Sequence, residues 1–431
     1  MSSPRASRRL AWLRQASPHE RKTLLAGSLG WLLDAFDVML YSMVLAHLIT
    51  HFGMDKSTAG FLNSLTLLAS AAGGILFGFL ADRVGRARAL TLSILVYSLA
   101  SGACGFAQSI FQLGLFRFVL GLGMGGEWTT GATLVAESWR AEHRGKALAL
   151  MQSSWAIGEG LAAVVAGALL ALGSLALLPG VELPAWRAVF LVGVLPALLV
   201  FWVRRRVAEP PLWHRKRTES RPAGGAQARG TLRRLWQPDL RRNAILATLM
   251  NTATLFGYWG LFTWIPAFLS LPVAEGGRGL TITQTMLWLL LMGVGKWFGY
   301  VLFGYFADSV GRRKTYIGYL VAAAVLVPIF ASLTAPRALL AVGPLVAFFG
   351  TGYFSGFGAI ASELFPTEIR ASAMGLTYNL GRAVSAAAPA LVGVLAASYG
   401  LGAAFFLTSG AFLLAAGLAW LLPETKGTQL R

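Results

Sequence analysis

Twelve stretches of this sequence are each long and apolar enough to cross the hydrocarbon core of a membrane. A spanning helix needs about 20 mainly apolar residues, and stretches of that length follow one another along the 431-residue chain. Only 13% of the residues are charged, about half the share usual in soluble proteins. We number the stretches as spans one to twelve: 24–50, 58–81, 88–107, 110–136, 147–172, 186–203, 243–271, 282–307, 315–333, 338–361, 371–397 and 402–422. The pattern predicts an all-α membrane protein.

The positions of the basic residues predict which side of the membrane each loop faces. If the N-terminus is cytoplasmic, thirty of the 37 Lys and Arg residues fall in cytoplasmic segments and four in outer loops. This distribution follows the positive-inside rule. It predicts a multi-pass protein of the cell membrane with both termini in the cytoplasm. The net charge of +19 then indicates contact with anionic lipid, and no nucleic acid partner is expected.

One polar segment divides the chain in two. Residues 204–242 are rich in Arg and lack a spanning stretch, which predicts a cytoplasmic linker. The predicted domains are a six-helix bundle over 1–203 and a second six-helix bundle over 243–431.

The two halves repeat each other. The segment Gly78–Arg86 after span two matches Gly304–Arg312 after span eight, at an offset of 226 residues. Glu137 after span four and Glu363 after span ten have the same offset. Two independent motifs in one register indicate an internal repeat, which is typical of membrane transporters.

These motifs resemble those of the major facilitator superfamily, and the resemblance covers nearly all of the chain. The segment Gly78–Arg88 is similar to the signature loop of that family between spans two and three. Four other segments resemble the branch that holds sugar porters, metabolite–proton symporters and organic-ion transporters: Asp34-Ala-Phe-Asp37, Arg117–Glu127, Glu209-Pro210-Pro211-Leu212-Trp213 and Pro423-Glu424-Thr425-Lys426-Gly427. Within this branch, bacterial carboxylate symporters for nicotinate, aromatic acids, sialate or lactate are the most similar. The resemblance implies a major facilitator fold of twelve helices.

Charged residues at the cytoplasmic ends of the spans predict a gate. Carboxylates recur in register with arginines in both halves: Asp82, Arg86, Glu137 and Arg144 in the first, and Asp308, Arg312, Glu363 and Arg370 in the second. Such a network would hold neighbouring helices together and must break when the inner side opens. The alternative is that these charges only orient the chain in the membrane.

Span one carries two acidic residues on one helical face, Asp34 and Asp37. Near the bilayer midpoint an ionised carboxylate costs at least about 2.5 kcal/mol, so it must be paired, protonated or exposed to water. Arg117 in span four is the expected partner of Asp37, and the resemblance implies the same, because sugar porters pair these positions for proton coupling. Glu127 lies near the level of Asp34. We expect these four residues to couple transport to protons; a permanent structural ion pair is the alternative.

Arg382 lies near the middle of span eleven and shares a helical face with Tyr378 and Ser385. A guanidinium offers two parallel donors that fit a carboxylate, and the resemblance implies a basic residue in this span of organic-anion transporters. We expect Arg382 to bind the substrate carboxylate, with Tyr378, Asn379 and Ser385 beside it. The alternative is a salt bridge to Glu159.

Two further charges, Glu159 in span five and Lys296 in span eight, lie at similar depth. They are expected to line the substrate site or, alternatively, to pair with each other. Polar and aromatic residues near these charges complete the predicted site: Gln152, Trp155, Tyr258 and Trp259. Such surfaces suit a small or flat organic acid.

These predictions converge on a secondary active transporter, a symporter of protons with a small organic anion such as a monocarboxylate or an aromatic acid. We expect a monomer that is not an enzyme and needs no cofactor or metal. A sugar or polyol symporter, a drug exporter of the same fold and a non-transporting receptor are the alternatives. The three cations predicted inside the spans favour an anion, because a sugar does not require them.

Overall fold

The protein is described by a computed structural model, which covers residues 11–178, 181–210, 234, 236–365 and 370–425. Helices dominate these residues. The first half contains α1 Ala11–Arg14, α2 Pro18–Phe52, α3 Lys56–Val84, α4 Arg86–Cys104, α5 Ile110–Ser138, α6 Ala141–Leu170, α7 Ala185–Val192 and α8 Ala197–Arg206. The second half contains α9 Pro238–Phe262, α10 Ile265–Ser270, a 3-10 turn Val273–Glu275, α11 Ile282–Val310, α12 Arg312–Ser332, α13 Pro336–Gly352, α14 Phe354–Leu364, α15 Arg370–Ser385, α16 Ala388–Tyr399 and α17 Leu401–Trp420.

The twelve predicted spans are confirmed. Eleven of them are long and apolar enough to cross a membrane, and span four is the 29-residue helix α5, which packs between spans two and three. Spans six, seven, ten and eleven each consist of two consecutive helices. In spans seven and eleven the second helix starts next to a proline, Pro266 or Pro389, whose missing N–H prevents an unbroken helix.

A short β-hairpin between spans five and six was not part of the sequence prediction. Strand β1, Ser174–Leu178, pairs antiparallel with β2, Val181–Pro184. Both strands follow the end of α6 in the predicted outer loop, so the hairpin lies outside the spans and leaves the helical architecture of the membrane region unchanged.

The internal repeat reappears in the backbone at the Gly85 and Gly311 turns. Both glycines have positive φ, 113° and 122°, a region that residues with a Cβ rarely enter. A Cβ at either position would also overlap a carboxylate, that of Glu209 or of Glu424. We call the face of these two turns the inner face, following the predicted orientation, and the opposite face the outer face.

The two halves meet along matching pairs of spans. Within the first half, span two packs on span four and span one on span five; within the second, span eight packs on span ten and span seven on span eleven. Between the halves, span two packs on span eleven and span five on span eight. Both interfaces border the middle of the molecule, where the buried charges lie.

Candidate functional site

Three carboxyl groups of the first half are buried and form no ion pair within the described part of the chain. Asp34, Asp37 and Glu127 are each at most 1% exposed. No hydrogen-bond partner reaches either oxygen of Asp34 or of Glu127 within the described part of the chain. One oxygen of Asp37 accepts a long hydrogen bond of 3.3 Å from the Ser101 hydroxyl. Because a fixed negative charge is unfavourable in such surroundings, groups of this kind are suited to binding and releasing protons.

The expected pair between Asp37 and Arg117 is not formed in this structure. Arg117 is fully buried, and its guanidinium donates to Asn63 Oδ1 at 2.7 Å and to Thr66 Oγ1 at 2.9 Å, both in span two. Its Cζ also lies 3.9 Å from the centre of the Tyr41 ring, in cation–π geometry. Uncharged side chains of spans one and two therefore fix the position of the Arg117 guanidinium.

Arg382 is a buried cation without an ion pair or a side-chain hydrogen bond among the described residues. It is 3% exposed, and its guanidinium forms no ion pair or hydrogen bond with any residue that the structure describes. Asp34 of the first half and Tyr378, one helical turn away, experience its charge. The alternative of a salt bridge between Arg382 and Glu159 is not observed, because Glu159 pairs with Lys296.

Glu159 instead forms an ion pair with Lys296 across the two halves. The carboxylate also accepts hydrogen bonds of 2.8 Å from the Tyr258 hydroxyl and from Trp155 Nε1. Lys296 Nζ lies 3.9 Å from the centre of the Phe262 ring. Pairing between the two predicted charges, which the sequence left open, is thus what the structure contains.

A small cavity of about 30 Å³ borders this ion pair, enough for about two water molecules. Residues of both halves line it, among them Met39, Met43, Glu159, Met292 and Lys296. The Glu159–Lys296 pair is thus the charged part of a cavity that is otherwise lined by apolar side chains of both halves.

The other predicted binding residues lie around these charges with different contacts. Tyr378 stacks on Trp128 of the first half, with ring centres 5.0 Å apart and planes at 21°. The Asn379 amide and the Ser385 hydroxyl bond carbonyls of their own helix, those of Gly375 and Arg382. The Ser385 hydroxyl therefore uses its proton within its own helix.

For two predicted residues, Gln152 and Trp259, the described part of the chain contains no polar contact across the site. Gln152 is half-buried on α6. Trp259 is buried and meets Trp155 edge to face, with 6.3 Å between ring centres. Trp259 thus contacts the ring of Trp155, whose Nε1 donates to the Glu159 carboxylate.

The inner face holds one charge pair of the predicted gate in each half. Arg86 donates through Nε to Glu137 Oε2 at 2.9 Å and through Nη2 to Glu137 Oε1 at 3.1 Å. In the second half, Arg312 Nε lies 3.7 Å from Glu363 Oε1. Both pairs join neighbouring spans of one half, and the pair in the first half is tighter. The side chains of the other four predicted gate residues lie outside the part that the structure describes: Asp82, Arg144, Asp308 and Arg370.

Two glutamates of the sequence motifs cap helices at the inner face. Glu209 accepts the backbone N–H groups of Arg86 at 2.6 Å and of Arg88 at 3.1 Å. Glu424 accepts that of Arg312 at 2.9 Å. Because these helices begin at glycines without a capping side chain, a carboxylate from a distant segment satisfies their N-termini.

Known proteins identify the family. The chain matches the profile of the Major Facilitator Superfamily over residues 27–275 and 269–430. It belongs to this superfamily. It is 36% identical to the "Probable 4-methylmuconolactone transporter" of Cupriavidus pinatubonensis, over 97% of this chain and 94% of the relative. It is 30% identical to the "Cis,cis-muconate transport protein" of Acinetobacter baylyi, over 90% of each chain.

A solved structure supports the fold of this superfamily member. The xylose transporter XylE of E. coli, in a partially occluded inward-open conformation, superposes with a TM-score of 0.74 over 96% of this chain and 100% of its own. At 20% identity this likeness concerns the fold alone. The family match and the transporter relatives identify the protein as a multi-pass membrane transporter and not an enzyme.

Sequence reasoning missed several residues of this superfamily member that join its halves or hold its charges, among them Thr66, which accepts a hydrogen bond from Arg117. Asn63 and Thr263 form a hydrogen bond between spans two and seven, and Trp128 stacks on Tyr378. Neutral side chains inside apolar spans give little signal in a single sequence. The position of Trp128 directly after Glu127 is the one clue that could have drawn attention to it.

Proposed function

We propose that this protein carries a small organic anion, a monocarboxylate or an aromatic acid, into the cell together with protons. The observation that carries the proposal is the guanidinium of Arg382, which is 3% exposed and forms no ion pair or hydrogen bond with the residues that the structure describes. A planar guanidinium binds a carboxylate through two parallel hydrogen bonds. A buried cation without a partner is unfavourable, so an anionic ligand would stabilise this site.

The names of the relatives support an organic acid as the substrate class. Muconate is the cargo in the name of one relative and a methylmuconolactone in that of another. A sugar would leave the charge of Arg382 uncompensated. Tyr378, Asn379, Trp155 and the Glu159–Lys296 pair would surround the organic part of the ligand.

The proton-binding role falls to the unpaired carboxyls. Asp34 lies within the electrostatic influence of Arg382. An anion on Arg382 would cancel this attraction and leave a negative charge on Asp34 less favourable. Substrate and proton would therefore favour each other's binding, which is the linkage that symport requires. Asp37, Glu127 and Arg117 complete this group.

Alternating access would come from rocking of the bundles 1–203 and 243–431 about the buried site, with residues 204–242 as a cytoplasmic linker. The Arg86–Glu137 and Arg312–Glu363 pairs would act at the cytoplasmic gate, together with Asp82, Arg144, Asp308 and Arg370. A monomer in the cell membrane would be sufficient for this cycle.

Uptake into proteoliposomes tests the proposal. Labelled nicotinate, cis,cis-muconate, xylose and the cationic drug rhodamine 6G are offered with and without an alkaline-inside pH gradient, and protein-free liposomes report passive entry. We expect protein-dependent accumulation of an acid only when the gradient is present. Xylose uptake would instead support the sugar symporter, and rhodamine movement the drug exporter. Transport of none of the four would contradict the proposed substrate class.

A further inference from the structure

Arg117 is connected to the opposite half of the protein by a chain of two hydrogen bonds. Its guanidinium donates to Asn63 Oδ1 at 2.7 Å. The Asn63 amide nitrogen donates to Thr263 Oγ1 at 3.0 Å. Asn63 belongs to span two, whereas Thr263 lies at the break between α9 and α10 in span seven. All three residues are at most 2% exposed, so water does not compete for these bonds.

The bond between Asn63 and Thr263 belongs to the outer closure of the two halves. Nearby, the Ser64 hydroxyl accepts a hydrogen bond of 3.1 Å from the backbone N–H of Ala390. Gly60 packs directly on the carbonyl of Pro389. Because these contacts join spans two, seven and eleven, they must separate when the outer face opens. The amide of Asn63 then loses the partner that fixes its orientation.

Arg117 and Asp37 each retain an unused polar atom. Arg117 Nη1 and Asp37 Oδ2 are buried without a hydrogen-bond partner, which is unfavourable for each of them. The two groups lie about one helical turn apart along span one, because Arg117 lies over the ring of Tyr41, which follows Asp37 by four residues in the same helix. A direct bond between them would satisfy both atoms, but the neutral oxygens of Asn63 and Thr66 hold Arg117 away from Asp37.

We propose that Asn63 is a positioning residue that links closure of the outer face to the location of Arg117. While the halves are closed outside, Thr263 orients Asn63, and Asn63 holds Arg117 apart from Asp37. When the outer face opens, this hold weakens and Arg117 turns to Asp37. The inference rests on the proposed proton coupling. It adds a physical link by which opening of the outer face changes whether Arg117 contacts Asp37.

The test compares two variants that each remove one hydrogen bond between the halves at the outer face. Thr263→Val removes the bond to Asn63, and Ser64→Ala removes the bond to Ala390. Both are reconstituted, and two rates are measured with nicotinate: accumulation driven by a pH gradient, and exchange at equal concentrations and pH on both sides. The pH profile of accumulation is recorded for each protein.

We expect Thr263→Val to lower accumulation relative to exchange by about fivefold, from the loss of orientation of a charged hydrogen bond, and to shift the pH profile. Ser64→Ala should leave the ratio and the profile as in the wild type. Equal ratios and profiles in the two variants would overturn the role of Asn63, even though wild-type symport stands. Failure of the wild type to accumulate any acid would overturn the proposed function itself.

A second variant guards against loss of folding in the first. Asn63→Asp places a carboxylate on Arg117 in every conformation and should abolish accumulation while exchange continues. Accumulation at the wild-type level in Asn63→Asp would also contradict the proposal, because Arg117 would then not need to be released.

Discussion

At the scale of single residues, Arg382 and Arg117 are both buried guanidiniums with different surroundings. Arg117 has two neutral acceptors and an aromatic ring, whereas Arg382 has no partner among the residues described. A charge with protein partners stabilises helix packing. A buried charge without one is favourable only if another group compensates it, and this difference is why we propose Arg382 as the site of the substrate carboxylate.

Arg382→Ala and Arg382→Lys should both weaken binding of an acid more than binding of its amide. For nicotinate we expect a loss of about 10- to 100-fold in Arg382→Ala, the range of a charged hydrogen bond, and a smaller loss in Arg382→Lys, which keeps the charge without the two-donor fork. Binding of nicotinate and nicotinamide to the purified proteins is the measurement. Equal losses for the two ligands would mean that Arg382 only supports the helices.

Asp37→Asn should uncouple transport from the proton gradient and leave exchange of the acid intact. The amide keeps the size of the side chain and its contact with Ser101 but cannot take up a proton. Accumulation against a gradient and exchange are measured in the same proteoliposomes. Ser101→Ala, which removes only the neighbouring hydroxyl, is the matched control and should keep its coupling. Wild-type accumulation by Asp37→Asn would exclude Asp37 from the proton pathway.

At the scale of helices, the two halves use the same device at the inner face with different strength. In each half an arginine follows a glycine of positive φ and reaches a glutamate of a neighbouring span. Arg86 donates two hydrogen bonds of 2.9 and 3.1 Å to the Glu137 carboxylate, whereas Arg312 Nε lies 3.7 Å from Glu363 Oε1. The tighter pair should contribute more to closing the gate.

Glu137→Gln should therefore open the inner face more than Glu363→Gln. Removing one charge of a partly buried pair leaves the arginine uncompensated, and the effect scales with the contact that is lost. Accessibility of single cysteines introduced at the inner ends of the spans, labelled from that side, is the measurement. Glu182→Gln in the outer hairpin, an exposed residue, is the control. Equal labelling of all three variants would contradict a gate at these pairs.

Patterns along the chain predicted the spans, the repeat and the buried charges; of the partners of these charges they offered only the Glu159–Lys296 pair, as an alternative. The apolar stretches and the 226-residue offset depend on local sequence, and both are confirmed. The neighbours of Arg117 depend on the relative shift and rotation of spans one, two and four, which local sequence does not determine. Asn63 and Thr66 are uncharged, so nothing in the sequence marks them as its partners. Glu209 and Glu424 reach helix N-termini about 110 to 120 residues away in sequence, which no periodicity reveals.

At the scale of the whole molecule, the buried charges do not balance. The charged groups in the middle of the described spans are four acids and three bases: Asp34, Asp37, Glu127, Glu159, Arg117, Lys296 and Arg382. Fully ionised, they leave one net negative charge in a low-dielectric region. One bound proton makes the empty site neutral, and a bound monocarboxylate then requires one proton more.

Because of this balance, transport of a monocarboxylate should be electroneutral, with one proton moving per acid. A neutral centre crosses the membrane more easily than a charged one, because an uncompensated charge at the midplane costs at least about 2.5 kcal/mol. Nicotinate uptake should therefore respond to a pH gradient and not to a potassium diffusion potential set with valinomycin. A dianion such as cis,cis-muconate should need two protons for the same reason and should also carry no current. Acceleration of nicotinate uptake by an inside-negative potential would mean that more than one proton enters with each acid. In that case the site does not remain neutral during transport, and the count of buried charges would not set the stoichiometry.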